Sequence, residues 1–190
     1  MKIIGIAGTN GSGKDSLGEI LAKNYGYMFV SGADFLRDEA KKRGLSIERE
    51  VLRTISAEWR RKYGLGVLVD KAFEIYKQSA KKYKGLVISP MRNPGEAQHL
   101  KELGGVLIWV DADLKVRYGR ITKRQRSTED QKTFEQFLAE EQAEMEHSGD
   151  ETTLSLSGVK LKADIFLENN GTLEEFRIAT ETALKKTNML

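Results

Sequence analysis

The stretch Gly8-Thr9-Asn10-Gly11-Ser12-Gly13-Lys14-Asp15-Ser16 follows the apolar run Ile3-Ile4-Gly5-Ile6-Ala7 and precedes Leu17, Ile20, Leu21 and Tyr25 at helical spacing. Strand, glycine-rich loop and helix in this order make the context that a phosphate-cradling loop requires. Glycines let the backbone wrap closely enough for successive N–H groups to point at a polyphosphate, and the following helix aims its positive end at the same anion. Gly8, Asn10, Gly11, Ser12, Gly13, Lys14, Asp15 and Ser16 are the candidate nucleotide-binding residues. Lys14 supplies a mobile positive charge, and Asp15 or Ser16 can reach a magnesium ion or its waters. The strict pattern G-x-x-x-x-G-K-[ST] is not met, because Asp15 follows Lys14 and the hydroxyl comes one position later.

Working outward, short apolar runs alternate with longer helical patterns, which predicts an α/β three-layer sandwich around a five-stranded parallel sheet. The predicted strands are Ile3 to Ala7, Met28 to Val30, Leu86 to Ile88, Gly105 to Val110 and Ala163 to Leu167. Predicted helices run from Lys14 to Tyr25, ended by Gly26, from Asp34 to Arg43, and through Val51, Leu52, Ile55 and Trp59. Further helices span Val67 to Tyr83, Pro94 to Leu103, Leu114 to about Lys123, and Thr133 to Glu146. A final helix opens at Thr172, with Glu175 completing a capping box. Residues 123–132 are almost wholly polar and read as a mobile excursion, and His147 to Gly158 reads as a loop.

The chain of 190 residues, 39% of them hydrophobic, is long enough for one well-buried core, so residues 1–190 are read as a single domain. Cysteine is absent, which excludes disulfides and thiolate metal sites and is compatible with a cytoplasmic setting. No apolar run approaches the ~20 residues of a membrane span, and neither a signal peptide nor a membrane partner is expected. The net charge of +3 and pI near 8.9 fit a site built for anions. Basic residues gather from Arg117 to Arg126 without interleaved aromatics, and Glu129 and Asp130 follow, so a nucleic-acid groove is the weaker reading. His99 and His147 have no neighbouring ligand set, and Arg60 and Arg61 read as a solvated helix face.

In open parallel sheets ligands bind off the carboxyl ends of the strands. Taken as one surface, those ends bring together the glycine-rich loop, Asp34 and Arg37 after the second strand, Arg92 after the third, and Arg120, Arg124 and Arg126 after the fourth. Several arginines converging on a phosphate loop mean a second anion, because guanidinium groups bind phosphate bidentately and disperse the charge on a transferring phosphoryl group. Asp34 is equally suited to capping the helix that begins there.

These residues resemble the nucleoside monophosphate kinases, in particular adenylate-kinase-like and deoxynucleoside-monophosphate-kinase-like P-loop proteins. The adenylate kinase loop G-x-x-G-x-G-K-G-T is similar to Gly8 through Ser16 position for position, with Asp15 in place of its last glycine; phage-type deoxynucleotide kinases use a similar G-K-D-T. Ser31 to Arg37 is similar to S-T-G-D-M-L-R, which implies that Arg37 grips an acceptor monophosphate, and Ser89-Pro90-Met91-Arg92 implies the same for Arg92. Arg120, Arg124 and Arg126 look like the arginines of a lid over about 120–132, and about 31–84 like an acceptor-binding helical region. The tail from Ala163 to Phe176 is similar to the last strand and helix of uncharacterised archaeal-type relatives.

Two departures stand out. Ser89 occupies the place where many relatives carry an aspartate that organises magnesium water, so Asp15, or Asp111 and Asp113, would have to substitute. Glu96 stands where adenine-reading relatives carry glutamine, and a carboxylate only accepts hydrogen bonds, so Glu96 is expected to read a donor-rich base edge such as guanine or the cytosine amino group.

The expected activity is transfer of the γ-phosphoryl of ATP, with Mg²⁺, onto the phosphate of a nucleoside or deoxynucleoside monophosphate, giving the diphosphate and ADP, by a monomer or homodimer. Lys14, Arg92, Arg120 and Arg124 are its catalytic residues, Arg126 joins the ATP site, and Asp34, Arg37, Arg92 and Glu96 take the acceptor. A similarity to dephospho-coenzyme-A kinases offers transfer to a hydroxyl instead, with Asp34 as base, and a nucleotide-hydrolysing switch is the alternative of another class.

Overall fold

The computed structural model describes residues 1–124, 132–145 and 149–190. Strand β1 (Lys2–Gly8) is followed by helix α1 (Lys14–Tyr25), β2 (Tyr27–Ser31), α2 (Gly32–Lys42), α3 (Arg49–Tyr63) and α4 (Val67–Ser79). Then come β3 (Gly85–Ser89), α5 (Pro94–Glu102), β4 (Val106–Asp111), α6 (Leu114–Arg124), α7 (Phe134–Met145), α8 (Leu156–Lys160), β5 (Ile165–Glu168) and α9 (Leu173–Lys186). The five strands form one sheet in the order β2-β3-β1-β4-β5, and every neighbouring pair is parallel.

Alternation along the strands builds the three layers. Ile3 and Ala7 of β1 face one side with Leu86, Ile88, Leu107 and Trp109, packed under α4, α5 and α8 by Val69, Tyr76, Leu100 and Val159. Ile4 and Ile6 face the other side with Val87, Ile108 and Val110, covered by Leu17 and Leu21 of α1 and Phe176 and Leu184 of α9. Each such fully buried aliphatic side chain contributes about 1.5–3 kcal/mol of transfer free energy. A third cluster joins α2, α3 and α4 through Leu36, Ile55, Trp59 and Leu68, which gives the helical region beside the sheet its own apolar anchor.

The terminal signals hold in detail. Gly26 closes α1 in the left-handed conformation at φ 72, and Thr172 and Glu175 form the reciprocal cap that opens α9. Three expectations need correction. The helix expected from Val67 to Tyr83 ends at Ser79, and a 3₁₀ turn covers Ala80–Lys82. The polar stretch read as loop contains the start of α8, which is held by the Ser155 side-chain cap and by burial of Leu156 and Val159. Finally, α2 begins at Gly32 with Ser31 as its N-cap, so Asp34 lies inside the first turn and does not cap it.

Parallel pairing aligns the strand ends that matter. Gly8 lies opposite Val110, Ser31 opposite Ser89, and Asp111 opposite Glu168. The loops that leave β1 through β5 therefore open on one edge of the sheet. No helix among the described residues is long and apolar enough to cross a membrane.

Candidate active site

Backbone conformation explains the glycines that begin and end the loop. Gly8 has φ +144, and a Cβ there would lie 2.0 Å from the Val110 carbonyl oxygen. Gly13 has φ +101 and serves as N-cap of α1, and as a glycine it supplies no side-chain cap to the first N–H groups of the helix. The loop is braced from outside. Thr9 donates to Asp111 at 2.7 Å, the Ser12 hydroxyl donates to the Thr9 carbonyl at 2.9 Å, and Asn169 Nδ2 donates to the Ser12 carbonyl at 2.8 Å.

The loop opens into a cleft of about 830 Å³. Asn10, Gly11, Gly13, Lys14, Asp15 and Ser16 line it, joined by Asp34, Arg37, Arg49, Arg53, Arg60, Arg92, Arg120 and Glu144. Gly8 and Ser12 are not among the lining residues; both are fully buried and shape the turn. The Lys14 ammonium folds back to donate to the Thr9 carbonyl. Removal from water lowers its pKa to about 7, the Arg92 guanidinium pushes it the same way, and Asp15 and Glu144 oppose the shift. Lys14, Arg92 and Glu144 thus share one electrostatic neighbourhood. A polyphosphate entering beside Lys14 would restore its full charge.

The arginines fall into three situations. Arg37 pairs with Asp34 at 2.5 Å, and both side chains are largely exposed at the rim. Arg60 is buried, which corrects its reading as a solvated face: it donates through Nη2 to Glu96 at 2.6 Å and through Nη1 to the Thr152 carbonyl at 2.8 Å. Arg92 donates to Glu144 at 3.1 Å, and Arg53 donates to the same carboxylate at 2.7 Å. Burial alone would raise the Glu144 carboxyl, but Arg92, Arg49 and Arg53 overcome that and hold its pKa near 2.

Glu96 requires the second correction. Its Oε1 accepts from Nε and Nη2 of Arg60, and its Oε2 accepts from the backbone N–H groups of Arg92 and Asn93. Four donors fill the four acceptor directions of the carboxylate, and the residue is 1% exposed. Glu96 is therefore a strut that fixes the backbone of Arg92 against α3, with no acceptor capacity left for a base edge.

Arg120 reaches the loop from α6, where Nη2 donates to Asn169 at 3.4 Å. Its buried Nη1 has no hydrogen-bond partner among the described residues, and Arg120 lines the cleft with Gly11 and Gly13. The side chain of Arg124, Arg126 and most of the expected lid over 120–132 lie outside the described residues, as does His147.

A magnesium ion brought in with a nucleotide would meet the two side chains expected to hold it. Asp15 and Ser16 line the cleft next to Lys14. Ser89, at the end of β3, is fully buried and is not among the lining residues, and its hydroxyl has no hydrogen-bond partner among the described residues. Asp111 is committed elsewhere, since it accepts from Thr9 and from the Ala112 N–H, and Asp113 is joined to Asn170. Among the described residues no three His, Cys, Asp or Glu side chains cluster into a metal cage.

Sequence motifs alone do not mark Asn169, Arg49, Arg53 or Glu144 as site residues. Arg49, Arg53, Ser56 and Arg60 do recur along one face of α3, and that stripe was the available signal.

The sequence model of the AAA domain family matches residues 4–147. A UPF0200 protein of Sulfurisphaera tokodaii is 31% identical over 188 residues, covering 98% of this chain and 97% of that one. An Archaeoglobus fulgidus protein described as UPF0200/UPF0201 is 30% identical over 179 residues, 93% of this chain, and the match spans only 53% of that relative. Among solved structures, shikimate kinase from Bacteroides thetaiotaomicron superposes with a TM-score of 0.58 at 12% identity, covering 99% of this chain and 98% of that one. A gluconokinase from Sinorhizobium meliloti gives 0.55 at 18%, covering 98% and 92%. At such identities the likeness shows the fold, that of the P-loop kinases. The chain belongs to the UPF0200 family and carries a kinase-like P-loop domain of AAA type.

Proposed function

We propose that this protein transfers the γ-phosphoryl group of ATP to the phosphate of a nucleoside or deoxynucleoside monophosphate, giving ADP and the diphosphate. The observation that carries the reading is the sharing of one cleft by the phosphate loop and by arginines from α2, α3 and the β3 loop, with Arg92 close enough to depress the Lys14 pKa. The bond between the γ-phosphorus and the β–γ bridging oxygen breaks, and an acceptor phosphate oxygen forms the new bond. That oxygen is already anionic at neutral pH, so the chain needs no general base. Its work is alignment and charge dispersal, with Lys14 and the loop N–H groups on the donor, Arg120 at the loop, and Arg92 and Arg37 on the acceptor. Asp15 and Ser16, which line the cleft beside Lys14, would hold a magnesium ion through its waters, and the ion would neutralise charge on the donor phosphates.

Transfer to a hydroxyl is the second reading. It is favoured by Asp34, a carboxylate lining the same cleft, although Arg37 already engages one of its oxygens. Phosphorus NMR of the products separates the two. A β-phosphate signal of twice the intensity that the ADP co-product accounts for supports the first reading, and a new phosphomonoester on a hydroxyl acceptor overturns it.

A further inference from the structure

Helices α3 and α7 meet at the wall of the cleft through charge. Glu144 of α7 is 4% exposed and receives Nη2 of Arg53 at 2.7 Å and Nη1 of Arg92 at 3.1 Å. Arg49, one turn before Arg53, stands 3.7 Å from the same carboxylate and 3.6 Å from Glu140, which also accepts from Lys132. Among the described residues this patch holds four cations against two carboxylates. The guanidinium groups of Arg53 and Arg92 each spend one donor on Glu144 and make no other hydrogen bond to the described residues, which leaves four N–H groups on each. Arg49, Arg53, Arg92 and Glu144 line the cleft, and a smaller cavity of about 200 Å³ opens beside them, lined by Arg53, Arg60, Glu144 and Leu154 among others.

The geometry points to Arg53 and Arg92, braced on Glu144 with Arg49 beside them, as the subsite that takes the acceptor's anionic group, and to a phosphate monoester as that group. Two guanidinium forks with donors to spare exceed what the two oxygens of a carboxylate can fill, whereas a phosphate monoester brings three oxygens and a charge near −2. Glu144 is a positioning residue: its negative charge lets three guanidinium groups stand side by side before the acceptor arrives, so less ordering remains to be done on binding. This inference rests on the phosphoryl-transfer reading for the role of the cleft, and it adds Arg53 and Glu144, to which no role was assigned, to the acceptor site.

The competing account makes the Arg53–Glu144 bond a structural tie between α3 and α7 only. Calorimetric titration of AMP, GMP, CMP and dTMP, each beside its nucleoside, distinguishes the two, with ADP titrated as a control for general damage. In the wild type at least one monophosphate binds ten or more times tighter than its nucleoside. Arg53→Ala lowers that preference by about tenfold or more and changes ADP affinity by less than about threefold. Arg53→Lys keeps the ion pair and restores the melting temperature but not the preference, because the planar fork is lost. A preference unchanged in Arg53→Ala, or restored in full by Arg53→Lys, overturns the subsite. If the preference behaves as stated while the wild type forms no diphosphate from ATP, the kinase reading fails and the subsite stands. If diphosphate forms with acceptor KM unchanged in Arg53→Ala, the reading stands and the subsite fails.

Discussion

The two ends of the cleft are built by opposite means. The phosphate loop is nine consecutive residues, and its requirements are backbone ones: a turn only glycine can make at Gly8 and Gly13, and a helix start without a side-chain cap. The arginine patch owes nothing to local conformation. Its carboxylate lies 91 residues along the chain from Arg53 and 52 from Arg92. A site made by backbone geometry leaves a contiguous mark in the sequence. A site made by helix packing leaves scattered charges, each of which reads alone as an ordinary surface residue.

That contrast can be broken experimentally, and the strongest blow falls on the loop. Lys14→Ala should lower kcat about 10³-fold with the fold intact, because the ammonium that would turn from the Thr9 carbonyl to the transferring group is lost. A loss under tenfold in steady-state kinetics would remove Lys14 from the chemistry. The patch is next. Glu144 has its pKa near 2 in the folded protein against an ordinary 4.5. The stabilisation this represents is complete above about pH 4.5 and is lost as the pH falls through 2, about 3 kcal/mol in all. Glu144→Gln should therefore be less stable than the wild type by about that amount at pH 7. The gap should close as the pH falls below 4.5, as followed by urea denaturation; a gap independent of pH would mean that charge is not what Glu144 contributes.

A smaller effect sharpens the comparison from the loop side. Lys14 titrates near 7 in the empty protein, and a bound triphosphate raises its pKa. Binding must then take up a proton above pH 7, so triphosphate affinity should fall with rising pH by at most about tenfold per unit. Calorimetry in buffers of different ionisation heat measures the uptake directly, and Lys14→Ala should abolish it. The smallest effect belongs to the rim. The Arg37–Asp34 pair is exposed, so Asp34→Ala should change stability by less than about 1 kcal/mol, measured by thermal melting.

Much of the fold was legible because its signals are local. Continuous apolar runs marked the strands, and Gly26, Pro94 and the Thr172–Glu175 pair marked helix ends. Helix α8 escaped because its five residues include too few apolar positions to show a period, and Leu156 and Val159 declare themselves only by burial. The donor half of the candidate site was legible for the same reason as the strands. On the acceptor side, Arg37 and Arg92 could be placed at strand ends, but Arg60 could not be told from a surface arginine. Its burial depends on Glu96, 36 residues away, and Glu96 in turn was free to read a base until Arg60 claimed it. Asn169 shows the same limit: it clasps the Ser12 carbonyl from 157 residues downstream.

The account stands most directly on one rate comparison: ADP release from ATP and Mg²⁺, measured with and without each nucleoside monophosphate in turn. At least one monophosphate should accelerate release by two orders of magnitude or more and appear stoichiometrically as its diphosphate. Release that is slow and indifferent to every monophosphate would contradict the claim that the loop and the arginines act on one pair of phosphates, and would leave a nucleotide-hydrolysing switch in its place.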